Sequence, residues 1–245
     1  MPGPAGALTF MRLLCLLCLV VVPLTAAARH FASGSTRTSV LELYSSEGCS
    51  SCPPAESGMA GLREEPGLWR DFVPVVFHVA YWDRLGWRDR FASQPFTARQ
   101  YAYAGQWRSD SVYTPGFVLN GAEWRSGSGW RAPGPTTDSA GVLTIDYTDD
   151  GQCRVQFAAA GDYEVFAAVL GGGIVSSVTA GENAGRTLQH EFVALRLEKA
   201  RLVEGTATVN LPVPAMAGVP RHALAVWVTR RGDLAPLQAT GGWLD

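Results

Sequence analysis

The feature that most constrains this chain is a cysteine pair set between two segments of opposite periodicity. The apolar run Val40-Leu41-Glu42-Leu43-Tyr44 leads through the turn Ser45-Ser46-Glu47-Gly48 into Cys49-Ser50-Ser51-Cys52. Pro53 and Pro54 then open a stretch with small or apolar residues at Ala55, Met59, Ala60 and Leu62. This order reads as a strand, a C-x-x-C and a helix over 53–65. The prolines are compatible with that reading, because backbone N–H groups in a helix's first turn have no intrahelical acceptor. Two intervening residues bring the sulfurs within bonding reach, and a helix N-terminus favours a thiolate on the first of them. Cys49 is therefore the expected nucleophile, reachable from solvent, and Cys52 the shielded resolving thiol.

A C-x-x-C admits two other readings. Structural zinc needs two further ligands, yet there is no second C-x-x-C, and His30, His78, His190 and His222 are scattered. A static disulfide stays open, since an oxidising compartment closes such a pair whether or not it turns over. The compartment is indicated by Arg12, the apolar run 13–22, Pro23 and Ala26-Ala27-Ala28, which together read as a signal peptide over residues 1–28. A periplasmic or secreted location is expected, with no membrane span after cleavage. Cleavage removes Cys15 and Cys18 and leaves Cys49, Cys52 and Cys153. The mature net charge of −3 does not favour nucleic acid as a partner.

Residues 29–39, small and polar, read as a flexible N-terminal tail. Within 40–125, Phe72 to Val79 is apolar on both faces, as a central parallel strand is. A helix capped by Ser93 runs to about Gln106, and Phe117-Val118-Leu119 forms a strand that ends in the turn Asn120-Gly121. Alternation of strand and helix gives an α/β arrangement with right-handed crossovers. Residues 126–139, rich in Gly, Pro and Ser, read as a linker. Over 140–245 a hairpin turns at Asp149-Asp150-Gly151, with Cys153, Val155 and Phe157 on one apolar face. Further strands are expected at 163–170, 174–179, 188–197, 206–211 and 223–229, making a β-rich, sandwich-like C-terminal unit.

Several segments resemble a family of secreted bacterial proteins, the domain of unknown function 1223. They are Glu42 to Ala55, Phe77 to Trp87, Phe91-Ala92-Ser93, Phe96 to Gln100, Tyr113-Thr114-Pro115, Asn120-Gly121, and Gly181-Glu182-Asn183 with Gly185-Arg186 and His190. The resemblance covers about 40–190. It implies a thioredoxin-like fold for 40–125, ahead of the β-rich unit read from the strand pattern, and a cis peptide before Pro115 opposite the cysteines, where the residues alone favour an ordinary trans X-Pro turn. The segment after Asn120-Gly121 is too short and too rich in Gly and Pro to hold that fold's closing helix, so a trimmed domain is expected.

The expected function is thiol–disulfide exchange in the periplasm, with no cofactor. Its partners are protein thiols or disulfides and a redox partner that recycles the pair. Pro115 shapes the substrate groove. Glu42, on the strand before Cys49, is placed either to exchange a proton with Cys52 or as a solvated edge residue. His78, at the carboxyl end of its strand, either tunes the thiols or is a hydrogen-bonded core histidine. An alternative gathers Cys49, Cys52 and His78 around Cu(I), which soft thiolates select. A third reading is a non-catalytic envelope scaffold with a structural disulfide. Tyr81, Trp82, Trp87, Phe91 and Tyr113 either cradle a peptide or pack the core. Cys153 reads as a small buried hydrophobe.

Overall fold

Period-two and fully apolar segments become strands along most of the chain in the computed structural model, which describes residues 28–125 and 131–244 together with Met1 and Gly3. The expected signal peptide lies outside the described residues except for Met1, Gly3 and Ala28, as does 126–130 of the expected linker. The first half contains β1 (Arg29–Ala32), β2 (Ser39–Ser45), α1 (Pro53–Gly61), β3 (Phe72–His78), α2 (Gln94–Trp107), β4 (Gly116–Leu119) and β5 (Ala122–Glu123). The second half contains β6 (Leu143–Tyr147), β7 (Gln152–Phe157), β8 (Tyr163–Gly172), β9 (Ile174–Ser177) and β10 (Thr187–His190), then β11 (Val193–Arg201), β12 (Thr206–Asn210), β13 (Arg221–Arg230) and β14 (Pro236–Trp243). Among the described residues no helix is long and apolar enough to cross a membrane.

Local signals place several of these elements. Ser93 caps α2, its Oγ accepting from the Phe96 N–H at 3.4 Å. Asn120 and Gly121 both have positive φ, 50° and 84°, which is the conformation a tight β4–β5 hairpin requires.

The α/β thioredoxin-like fold expected over 40–125 is not the one the chain adopts; the structure is mostly β-sheet. Strand residues far outnumber helical ones, and one mixed sheet runs in the order β14-β13-β8-β11-β3-β2-β4-β5 through both halves of the chain. The decisive pairing is β11 beside β3, parallel at Val193 and Val76, with the Val76 N–H donating to the Phe192 carbonyl at 2.8 Å. It carries the sheet from the cysteine-bearing strands into β8, β13 and β14. The pairing is brief, and β3 carries Pro74, which has no N–H to give.

Alternation along β8 and β13 divides the core. Phe166, Ala168, Ala225 and Trp227 face the side that also holds Met59, Phe77, Phe96 and Tyr103. Val165, Ala167, Val169, Leu224, Val226 and Val228 face a second sheet, β1-β6-β7-β12, across Ile145, Tyr147, Val155 and Phe157. Cys153 is a buried free thiol in this second layer. The indole of Trp227 stacks on Phe166 with centroids 5.6 Å apart, and truncation to alanine would cost about 3–5 kcal/mol.

The expected flexible tail at 29–39 is ordered. β1 pairs with β6 from Arg29–Tyr147 to Ala32–Thr144, and the buried Gln238 side chain accepts the Thr38 N–H at 2.8 Å. The single strand expected over 188–197 is two strands in different sheets, broken at Phe192, whose φ is 57°. β10 pairs with β9, whereas β11 enters the large sheet.

Candidate active site at the Cys49–Cys52 disulfide

β2 and β3 run parallel in a register that sets Ser45 beside His78, so the carboxyl ends of both strands open at the same edge. Just beyond Ser45 the chain turns through Glu47 and Gly48 to the cysteines. Gly48 is required by a close approach, because a Cβ there would lie 3.0 Å from Trp82 Cβ. Cys52 is the N-cap of α1, and its carbonyl accepts the N–H groups of Ala55 and Glu56 at 3.0 and 3.1 Å.

Cys49 and Cys52 are joined as a disulfide, with Cα atoms 5.4 Å apart. Both residues are 0% exposed, so the expectation of a reachable Cys49 does not hold in the oxidised form. Ser50 and Ser51 form an exposed lip over the bond. Cys49 Sγ lies 3.3 Å from Ser51 Oγ and 3.8 Å from the Thr114 carbonyl. The first two helical positions are prolines without N–H groups. The field of α1 at Cys49 thus comes from its aligned peptides more than from free donors.

The Thr114–Pro115 peptide is cis. Its segment is held against the cysteine loop by Trp82, whose indole N–H donates to Thr114 Oγ1 at 2.8 Å. The loop between β9 and β10 closes the other side. The fully buried Asn183 donates its amide to the carbonyls of Glu47 and Cys49 at 2.8 and 2.9 Å, and Arg186 steadies its Oδ1 at 2.8 Å. Glu182 accepts from the Ser50 N–H and hydroxyl at 3.1 and 2.7 Å.

Beneath this loop lies a buried charged cluster. His78 Nδ1 faces Asp89 Oδ2 at 2.6 Å, and His78 Nε2 lies 3.6 Å from Glu56 Oε1. His190 Nδ1 pairs with Glu56 Oε2, and its Nε2 lies 3.2 Å from Glu47 Oε1, an ion-pair distance without hydrogen-bond alignment. Ser45 donates to Glu56, and Trp87 Nε1 donates to Glu47 at 2.7 Å. Burial pushes the Asp89 carboxyl up, but His78 and two backbone N–H donors more than offset it and bring it down to about 2. Burial likewise opposes charge on the imidazoles, yet the carboxylates prevail: Asp89 and Glu56 raise His78, while Glu56 and Glu47 bring His190 to about 10. Glu56 and Glu47 are raised by burial and lowered further by the histidines, ending below their ordinary values.

The other residues singled out from the sequence take definite places. His78 belongs to this charged cluster, and among the described residues no hydrogen bond joins it to either sulfur. Glu42 is buried, so it is not a solvated edge residue. It is held by Arg99 at 2.7 and 2.9 Å, by Tyr103 at 2.6 Å and by Tyr44 at 2.8 Å. With its oxygens so occupied, its geometry is that of a core ion pair. Arg99 lies over Phe166 and Trp227, 5.0 and 5.2 Å from their ring centres, which couples α2 to the C-terminal strands. Of the aromatic residues, Trp82 and Trp87 serve the site, Phe91 is buried beside both histidines, and Tyr113 is exposed.

Sequence reasoning missed Glu47, Glu56, Asp89 and Asn183 as site residues. Asn183 entered only through the family resemblance, and His190 through it and as one of four scattered histidines. The available signal was the clustering of Glu47, Glu56 and Asp89 close to the cysteine motif and the central strand.

The profile of a family described as protein of unknown function (DUF1223) matches residues 40–229. The chain belongs to DUF1223. The DUF1223 match takes in the cysteine loop and the Asn183–His190 segment that covers it. A crystal structure of a protein from Agrobacterium tumefaciens is similar at 21% identity, over 85% of this chain and 95% of that one, with a TM-score of 0.59. HBP35 of Porphyromonas gingivalis is similar at 13% identity, over 87% of this chain and 77% of that one, with a TM-score of 0.55. At these identities the likeness shows a shared fold. No curated protein matches the chain.

Proposed function

We propose that this DUF1223 protein carries out thiol–disulfide exchange at Cys49–Cys52 in the periplasm or outside the cell. The observation that carries the reading is the placement of Cys49 Sγ directly under the exposed Ser50-Ser51 lip and beside the Thr114 carbonyl, with Cys52 at the head of α1. When the lip opens, a substrate thiolate attacks Cys49 Sγ. The bond to Cys52 breaks, and Cys52 leaves as a thiolate that takes up a proton. A second substrate thiolate then attacks the mixed disulfide and releases Cys49. Two electrons and two protons pass from the substrate dithiol to the pair, and the reverse sequence oxidises a substrate. Pro115 and the Thr114 carbonyl border the groove in which the substrate chain lies.

Full burial of both sulfurs favours a second reading, in which the bond staples a loop and does not turn over. Turnover of insulin disulfides and of scrambled ribonuclease, measured for the intact chain and for Cys49→Ser and Cys52→Ser, separates the two. Exchange that disappears in Cys49→Ser supports the proposal. No turnover, with a pair that resists dithiothreitol in the folded protein, establishes the staple.

A further inference from the structure

Glu56, His78 and His190 each offer one ligand atom within 4.8 Å of the others, and all three side chains are buried. Two histidines and a carboxylate are a donor set for a first-row dication, with zinc held by nitrogen and oxygen ligands at about 2.0–2.2 Å. Ligand atoms around such an ion lie roughly 3.3–3.5 Å apart. The 3.6 Å between His78 Nε2 and Glu56 Oε1 is close to this already.

What sets this cluster apart from an ordinary ion-pair network is its second layer. Asp89 holds His78 through Nδ1, which turns Nε2 inward, and Asp89 is itself fixed by the backbone N–H groups of Glu47 and Phe91 at 2.8 and 2.9 Å. Glu47, anchored by the Trp87 indole, stands at His190 Nε2 and leaves Nδ1 toward Glu56. A carboxylate hydrogen-bonded to the far nitrogen is how metal-ligating histidines are oriented; Asp89 meets this at His78, while Glu47 stands at ion-pair distance from His190 Nε2. The inward-facing Nε2 of His78 is fully buried and makes no hydrogen bond, and neither do Oε1 of Glu47 and Nε2 of His190. Three carboxylates surround two imidazoles, so a dication held by neutral imidazoles would offset all but one of the negative charges. A surface cleft lined by Pro53, Glu56, Ser57, Arg186 and Gln189 reaches Glu56 and offers an entry path.

We infer that Glu56, His78 and His190 form a binding site for a divalent first-row cation of the zinc type, with Asp89 and Glu47 orienting the two imidazoles. The site lies beneath the disulfide, uses no sulfur, and is independent of whether Cys49–Cys52 turns over. The fourth coordination position falls to water or to Ser45.

The test is titration of the oxidised full chain, stripped with chelator, with Zn2+ by calorimetry and with Co2+ by visible absorption. About one equivalent is expected, and the cobalt complex should show ligand-field bands without a sulfur charge-transfer band. Cys49→Ser/Cys52→Ser should retain binding, whereas His78→Gln and His190→Gln should each lose it at least tenfold. Glu56→Gln, nearly equal in volume, provides a further variant should a histidine change unfold the chain, and circular dichroism checks each fold. Absence of binding to the oxidised chain, binding that needs a reduced pair, or binding untouched in all three ligand variants would overturn the inference.

Discussion

The carboxylate of Glu182 grips Ser50 at both its backbone N–H and its hydroxyl, across 132 residues of sequence. Ser50 belongs to the lip over the disulfide, so this contact is a latch on the one segment that must move before an external thiolate can reach Cys49. Glu182→Ala should speed reduction of the pair by dithiothreitol several-fold while barely changing the melting temperature. Stopped reduction assays with thiol trapping measure the first quantity. An unchanged rate would mean that the lip is held elsewhere.

Asn183 supports the same loop from below. Its buried amide serves the carbonyls of Glu47 and Cys49, and alanine would leave both without that donor. Loss of roughly 1–3 kcal/mol is expected in chemical denaturation, because the Glu47 carbonyl is left unsatisfied while the Cys49 carbonyl keeps the Cys52 N–H at 3.2 Å. The disulfide should also become easier to reduce.

The Glu42–Arg99 pair yields a prediction that separates structure from chemistry. Arg99→Met strands a buried carboxylate among Tyr44, Tyr103 and Phe77, at a cost of about 3–5 kcal/mol. Glu42→Gln/Arg99→Met should recover much of this. If Glu42 is only a core residue, Glu42→Gln lowers stability yet leaves the pH profile of exchange, per folded molecule, where it was.

Burial alone pushes the Cys153 thiol up to about 12. At about pH 8 only on the order of one molecule in ten thousand carries the thiolate, and the fraction rises tenfold with each pH unit up to that value. Iodoacetamide should therefore spare Cys153 in the native protein at neutral pH. Its labelling should accelerate in base, or appear at once on unfolding, as read by mass spectrometry.

Local signals in the sequence were faithful to local structure. The C-x-x-C marked the start of α1, Ser93 marked α2, Asn120-Gly121 marked a hairpin, and the alternation of Cys153, Val155 and Phe157 marked a buried face. Long-range pairing was not legible, because the same apolar strand fits either flank of several partners. The meeting of Val76 with Val193 leaves no trace in spacing, and it turned an expected separate domain into part of one large sheet. β14 escaped notice because Gly241 and Gly242 weaken its strand pattern. Those glycines are there for space: a Cβ on Gly241 would run into the Leu224 carbonyl, and one on Gly242 would meet the Phe31 ring at 2.5 Å. The charged cluster was hidden for a related reason. Glu47, Glu56, Asp89 and His190 come from four segments, and no interval between them is fixed by one helix or strand.

Because β11 is wedged between β3 and β8, cutting the gene at about codon 125 would not yield a smaller working piece. Such a fragment would bare the flank of β3, lose His190 and Asn183, and present a sticky strand edge to its neighbours. Dissection of this protein has to proceed by point changes within the whole chain.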